Sequence, residues 1–193
     1  MLRNALTGSV VFGLSAAAAG YVWTAFEFPF VIVIPAIVGS YFVTRAFGRR
    51  KALIAGAVGG VAFTVAFLFA VFLALTDGSP VALSAWASAT LAAALAGAAM
   101  GAVLRGVRGS VVMAAFSASG MLGATLVMGL VRALAPASVD VAGPAQYLYV
   151  AVALGLVGAV VGAALGAGAA WLAGQRGEPA DTGRIGGHMP HGA

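Results

Sequence analysis

The segment Gln146–Trp171, QYLYVAVALGLVGAVVGAALGAGAAW, carries glycines at Gly155, Gly158, Gly162, Gly166 and Gly168. Gly158, Gly162 and Gly166 recur every fourth residue, and Ala170 and Gly174 continue the row. On a helix such spacing makes one face almost free of side chains. Lipid gains nothing from a groove of this kind. In a bilayer, where hydrophobic burial no longer drives helices together, small residues at this spacing let a second backbone approach closely enough for dispersion and Cα–H···O contacts to hold the pair. The segment reads as a spanning helix built to be packed against.

The rest of the 193 residues has the same character. The chain is 62% hydrophobic and 8% charged, with a mean hydropathy of +1.07, whereas soluble domains run at roughly 45–50% apolar and roughly 25% charged. These values describe an integral membrane protein. A spanning helix takes about 20 apolar residues, so six spans joined by short connections are expected, in a single membrane domain over 1–175, with 176–193 as a flexible Gly-rich tail. The basic excess, 10 Lys+Arg against 5 Asp+Glu, reflects the sorting of cations to the cytoplasmic side and not nucleic-acid binding. Without cysteine there is no disulfide framework, thiolate metal site or cysteine nucleophile.

Taken in order, the spans are Ala5–Tyr21, Phe30–Phe47, Ala52–Thr76, Val81–Leu104, Val111–Leu130 and Gln146–Trp171. The first also admits reading as a signal peptide, with its basic start and the small run Ser15–Ala19; a retained span is the reading adopted. Tyr21, Trp23, Phe26, Phe28 and Phe30 form an aromatic cluster suited to the headgroup layer. Pro35, inside the second span, removes a helical hydrogen bond and predicts a kink. Four of the other spans also carry small rows: Ala16, Gly20 and Thr24 in the first; Gly56, Gly60 and Thr64 in the third; Ala85, Ala89, Ala93, Gly97 and Gly101 in the fourth; Ala115, Ser119 and Gly123 in the fifth.

The helix-packing candidates are therefore Gly97, Gly101, Ser119, Gly123, Gly158, Gly162 and Gly166.

Arg3, Arg45, Arg49, Arg50, Lys51, Arg105, Arg108, Arg176 and Arg184 fall on one side of this arrangement and Arg132 alone on the other. Both termini are expected to be cytoplasmic. The fold class is thus an all-α bundle of six transmembrane helices in three successive hairpins, 1–48, 49–108 and 109–175, in the cell (plasma or inner) membrane. Each outer turn places an acid shortly before a proline, at Glu27/Pro29, Asp77/Pro80 and Asp140/Pro144, where a carboxylate meets the positive end of a helix dipole. Independent use of a good helix start explains the pattern better than duplication, since no residue-by-residue similarity accompanies it.

Chemistry is sparse. Ionisable residues inside a membrane point to ion paths or substrate sites, and none lies near the middle of a span. His188 and His191 both fall in the tail, so no span supplies a haem ligand; as a metal site the pair lacks further ligands. Ser117-Ala118-Ser119-Gly120 has no base within reach in any span, as a serine nucleophile requires. No catalytic residue, metal site or cofactor is expected, and the protein does not read as an enzyme.

Two functions remain. The first is a small non-catalytic membrane subunit that packs within or onto a membrane complex, with the lipid bilayer and other membrane chains as partners and no nucleic acid. The second is a small-solute transport component, with Asp77, Trp86, Asp140, Gln146 and Tyr149 lining an outer vestibule; the bland reading of those aromatics is an interfacial belt. In size and span count the chain resembles the substrate-binding membrane subunits of energy-coupling-factor vitamin importers, although none of their motifs is present. A filled bundle favours the first function and a cavity the second.

Overall fold

Five helices, one of them broken in the middle, make up the architecture of the computed structural model, which describes residues 1–27, 31, 33–76, 82–134 and 144–175 and places side chains for all of these but 66–76, 82–86, 131–134 and 144. Helix α1 runs over Leu2–Phe26 and ends at Glu27, whose left-handed backbone (φ 55°, ψ 30°) stops it. Helix α2, Val33–Thr44, passes into a 3-10 turn at Arg45–Phe47. Gly48 follows with φ 99°, a conformation that favours glycine, and its N–H closes the turn on the Arg45 carbonyl at 3.1 Å. Helix α3 begins at once, over Arg49–Thr76. Helix α5 spans Pro144–Gly174, with proline at the first helical position, where its missing N–H costs nothing.

Helix α4 covers Ala82–Leu134, 53 residues. Straight, it would be about 80 Å long, against about 30 Å of hydrocarbon. It is not straight: Arg105 (φ −148°, ψ 24°) and Gly106 (φ 61°, ψ −146°) leave helical geometry, and the chain turns back, giving α4a (82–104) and α4b (107–134). The halves touch backbone to backbone. Gly97 faces the Met113 carbonyl, and Gly101 and Gly109 face one another. Two hydroxyls bridge them, Ser110 Oγ donating to the Ala98 carbonyl at 2.9 Å and Ser117 Oγ to the Ala93 carbonyl at 2.7 Å.

The six helical segments close into a ring in chain order. The α1–α2 contact seats the Phe12 ring on Gly39, and α2–α3 sets Gly56 and Gly60 against Ile37 and Tyr41. Between α3 and α4a, Gly59 meets Met100, while α4b meets α5 where Gly120 approaches Val161 and Ala164. The longest seam, α5 on α1, closes the ring: Gly166 lies on Asn4, Gly162 on Gly8, Gly158 on Phe12 and Gly155 on Gly13, with Tyr147 edge-on to Tyr21 beyond them. The start of α1 and the end of α5 therefore lie at the same end of the bundle. Arg45 and the Arg105–Gly106 break share that end, and Arg108 stands over the Trp171 ring at 6.0 Å.

Small residues face inward and large apolar ones outward. Helix α1 buries Gly8, Phe12, Ala19 and Gly20 and exposes Leu2, Leu6, Val10 and Leu14; α4b exposes Leu122, Leu126 and Leu130. Such stripes would be an aggregation liability in water but are neutral against lipid tails. Most hydroxyls are satisfied within their own helices, as Thr24, Thr44, Thr64 and Thr125 are by the carbonyl four residues back. This is the solution available where water is absent. Among the described residues three helical stretches, Leu2–Phe26, Ala87–Leu130 and Ala145–Gly174, are long and apolar enough to cross a membrane. The chain is an all-helical protein of membrane character.

Two expectations change. Pro35 stands in the first turn of α2 and not inside a longer helix, so its missing N–H interrupts no hydrogen bond and the expected kink has no cause. On α4b the contact face holds Met113, Ser117, Gly120, Met121 and Ala124, whereas Ala115 and Ser119 are exposed. The Ser119 hydroxyl bonds only its own helix, at the Phe116 carbonyl, 2.9 Å away. The acids Asp77 and Asp140, the tail 176–193 and both histidines lie outside the described residues.

Candidate functional site: a cavity inside the helix ring

Six segments arranged in a ring leave an axis to fill. Toward the basic end Met100, Leu104, Met113 and Leu172 fill it, each almost wholly buried. Toward the other end the residues that point inward are small: Ala16 and Ala19 of α1, Ala36 of α2, Gly59 of α3, Ala93 and Gly97 of α4a, Gly158 of α5. They leave a cavity of about 210 Å³. An apolar cavity of about 150 Å³ is enough to take benzene, so this one accommodates a somewhat larger molecule.

Every segment contributes to the wall. Aromatic surface comes from Phe12, Trp23 and Phe63, and flexible apolar surface from Met121, Leu154 and Val157. Methionine adapts its shape to what it meets, which suits Met100 and Met121 to lining a binding space. Polar side chains are few. The Ser117 hydroxyl is held by the Ala93 carbonyl. Ser40, 5% exposed, also lines the cavity with its hydroxyl. Here it offers one donor and two acceptor positions to whatever occupies the space.

The glycine candidates lie around this cavity or beside it. Gly97 and Gly158 line it, each also held by a backbone carbonyl, of Met113 and Phe12 respectively. Gly101, Gly162 and Gly166 lie nearer the basic end in direct backbone contact. Gly123, half-buried, sits 3.2 Å by its added Cβ from Val160. Of the vestibule residues, Gln146 and Tyr149 are exposed on the outside of α5, Tyr149 by 42%. They do not join the cavity wall, and the Trp86 side chain is outside the described residues. Ala16, Ala89, Ala93, Gly97 and Gly158 read from the sequence as packing faces, and none of them reads as the wall of a cavity. The available signal was the excess of alanines over what the close seams require, as at Ala16, Ala19 and Ala36.

Among the described residues no group of three or more His, Cys, Asp or Glu side chains is placed to hold a metal ion. No protein family matches the chain, and comparison with curated proteins and with solved structures finds no similar protein.

Proposed function

We propose that the chain is a membrane-embedded solute-binding component of a transport system, whose ligand is small, mostly apolar and carries one hydrogen-bonding group. The observation behind this reading is the apolar cavity of about 210 Å³ with the Ser40 side chain in its wall. Binding sites for small molecules are typically apolar spaces with a few polar groups that fix orientation. The alternative role, a subunit that docks partners through glycine faces, loses support because the rows at Gly97, Gly101, Gly158, Gly162 and Gly166 are occupied by this chain's own helices.

The topology proposed with it has six spans with both termini cytoplasmic in the cell membrane. The reversal at Arg105–Gly106 and the gathering of Arg3, Arg45, Arg105 and Arg108 at one end of the bundle support it.

Phenol and benzene serve as probes, read by thermal unfolding of the purified protein in detergent. Both should raise the midpoint of the wild type, and Ala89→Leu, which puts a larger side chain into the wall, should abolish both responses. Ser40→Ala should weaken the response to phenol and leave that to benzene intact. Mass spectrometry of small molecules that co-purify with the wild type identifies the natural class. A wild type indifferent to both probes and carrying no co-purifying molecule would remove the basis for a solute-binding role.

A further inference from the structure

A second concave surface lies at the basic end, between the start of α1 and the end of α2. It encloses about 360 Å³ and is lined by Arg3, Asn4, Thr7, Phe42, Val43 and Arg45. We infer that this crevice holds the phosphate group of an anionic phospholipid, gripped by the guanidinium groups of Arg3 and Arg45. This site is independent of the central cavity and of what that cavity binds.

Charge is the first argument. Two arginine side chains line one crevice, and the only acidic residue among the described ones is Glu27, at the far end of α1. No described acid therefore competes with an anionic ligand for this crevice. Arginine is the side chain suited to such a ligand, because its planar fork of N–H donors matches two phosphate oxygens at once. Asn4 adds an amide donor. The Thr7 hydroxyl, which donates to the Arg3 carbonyl at 2.9 Å, keeps its acceptor side free and ties the turn that carries Arg3.

The second argument separates a lipid from a free phosphate. The crevice wall combines the polar Arg3, Asn4, Thr7 and Arg45 with the apolar Phe42 and Val43. Away from it both helices continue with exposed apolar stripes, Leu6, Val10 and Leu14 on α1 and Ile34, Val38 and Phe42 on α2. A phosphate with acyl chains attached satisfies the charged crevice and the apolar track together. An inorganic phosphate satisfies only the first. Basic pockets between helices on the cytoplasmic side are where anionic headgroups bind in membrane proteins.

The test compares full-length protein in phosphatidylglycerol and in phosphatidylcholine nanodiscs, with bound lipid counted by native mass spectrometry after release. Wild type should retain phosphatidylglycerol selectively. Arg3→Gln and Arg45→Gln should each lower that retention about fivefold, the order expected for one cationic side chain near an anionic surface. The control Arg49→Gln/Arg50→Gln removes two charges at the same end but outside the crevice and should lower it much less. Equal loss in the control and in Arg3→Gln/Arg45→Gln would mean a diffuse surface attraction and overturn the site. Displacement of the lipid by millimolar inorganic phosphate would overturn a lipid as its occupant. In Glu178→Gln/Asp181→Asn, unchanged retention is expected; a rise would show that the tail's own acids fill the crevice, and would overturn the inference as well.

Discussion

Replacing Gly162 by isoleucine tests the seam between α1 and α5 where it is tightest. A Cβ at this position meets the Gly8 carbonyl, with the Gly8 carbonyl carbon and the Phe12 Cβ both at 2.7 Å. Ordinary contact begins at about 3.4 Å, so even the first carbon of the new side chain requires the helices to part by at least about 0.7 Å. The facing atoms are mostly backbone and cannot swing away. A gap of that size forfeits between a quarter and a half of each dispersion contact, and about 40 atom pairs losing a third of about 0.15 kcal/mol each amounts to about 2 kcal/mol. That agrees with the roughly 1–3 kcal/mol typical of overpacked sites. For a chain of this length it corresponds to a fall in melting temperature of about 4–8 °C. The assay is thermal unfolding in detergent, read beside Gly129→Ile, whose added side chain finds nothing within 4 Å of its Cβ. A sizing column run on the same samples reports whether association changes. If Gly162→Ile melts with the wild type and elutes with it, the two helices are not in contact at this point and the closed ring is wrong.

Three further outcomes are expected. Gly97→Leu and Gly101→Leu, which drive side chains into the carbonyls of Met113 and Gly109, should each cost about 1–3 kcal/mol in the same assay; unchanged stability in both would mean that α4a and α4b are not paired along this face. Gly106→Ala should cost about 1–3 kcal/mol although its Cβ meets nothing within 4 Å, because φ 61° with ψ −146° suits only glycine. A variant as stable as the wild type would place the reversal elsewhere. Reporter fusions should read cytoplasmic after Gln175 and after Arg49 and external at Gly78; an external reading after Gln175 would end the six-span topology.

Composition and helical spacing disclosed much of this molecule, and the limits are physical. Spacing by four at Gly158, Gly162 and Gly166 gives the kind of neighbour such a face accepts, a backbone, without saying whose. The partner face on α1 was hidden because Phe12 interrupts it: Asn4, Gly8, Phe12 and Ala16 are not a row of small residues, and Phe12 fits only by turning its ring toward Gly39. On α4b two faces carry small residues, one through Ser117 and Gly120, the other through Ser119 and Gly123. Which one turns inward is set by the backbone rotation at Arg105 and Gly106, a quantity that residue spacing does not contain. A proline at position three of a helix, as Pro35 is in α2, and one at its centre look the same in sequence until the start of the helix is known. The cavity is space enclosed jointly by all the segments, so no single stretch of sequence encodes it.

The seam between α1 and α5 also sets a schedule. Gly8 and Gly162 are about 150 residues apart in the chain, which at about 5–20 residues per second of synthesis keeps α1 waiting roughly 8–30 s for its partner. Throughout that interval the backbone around Gly8 lacks the helix that covers it in the finished fold. The last helix made is thus the clasp that fastens the first. Two ribosomes working side by side would offer each waiting α1 a second clasp, and exchange of α5 between copies is the misassembly to which this order of events exposes the fold.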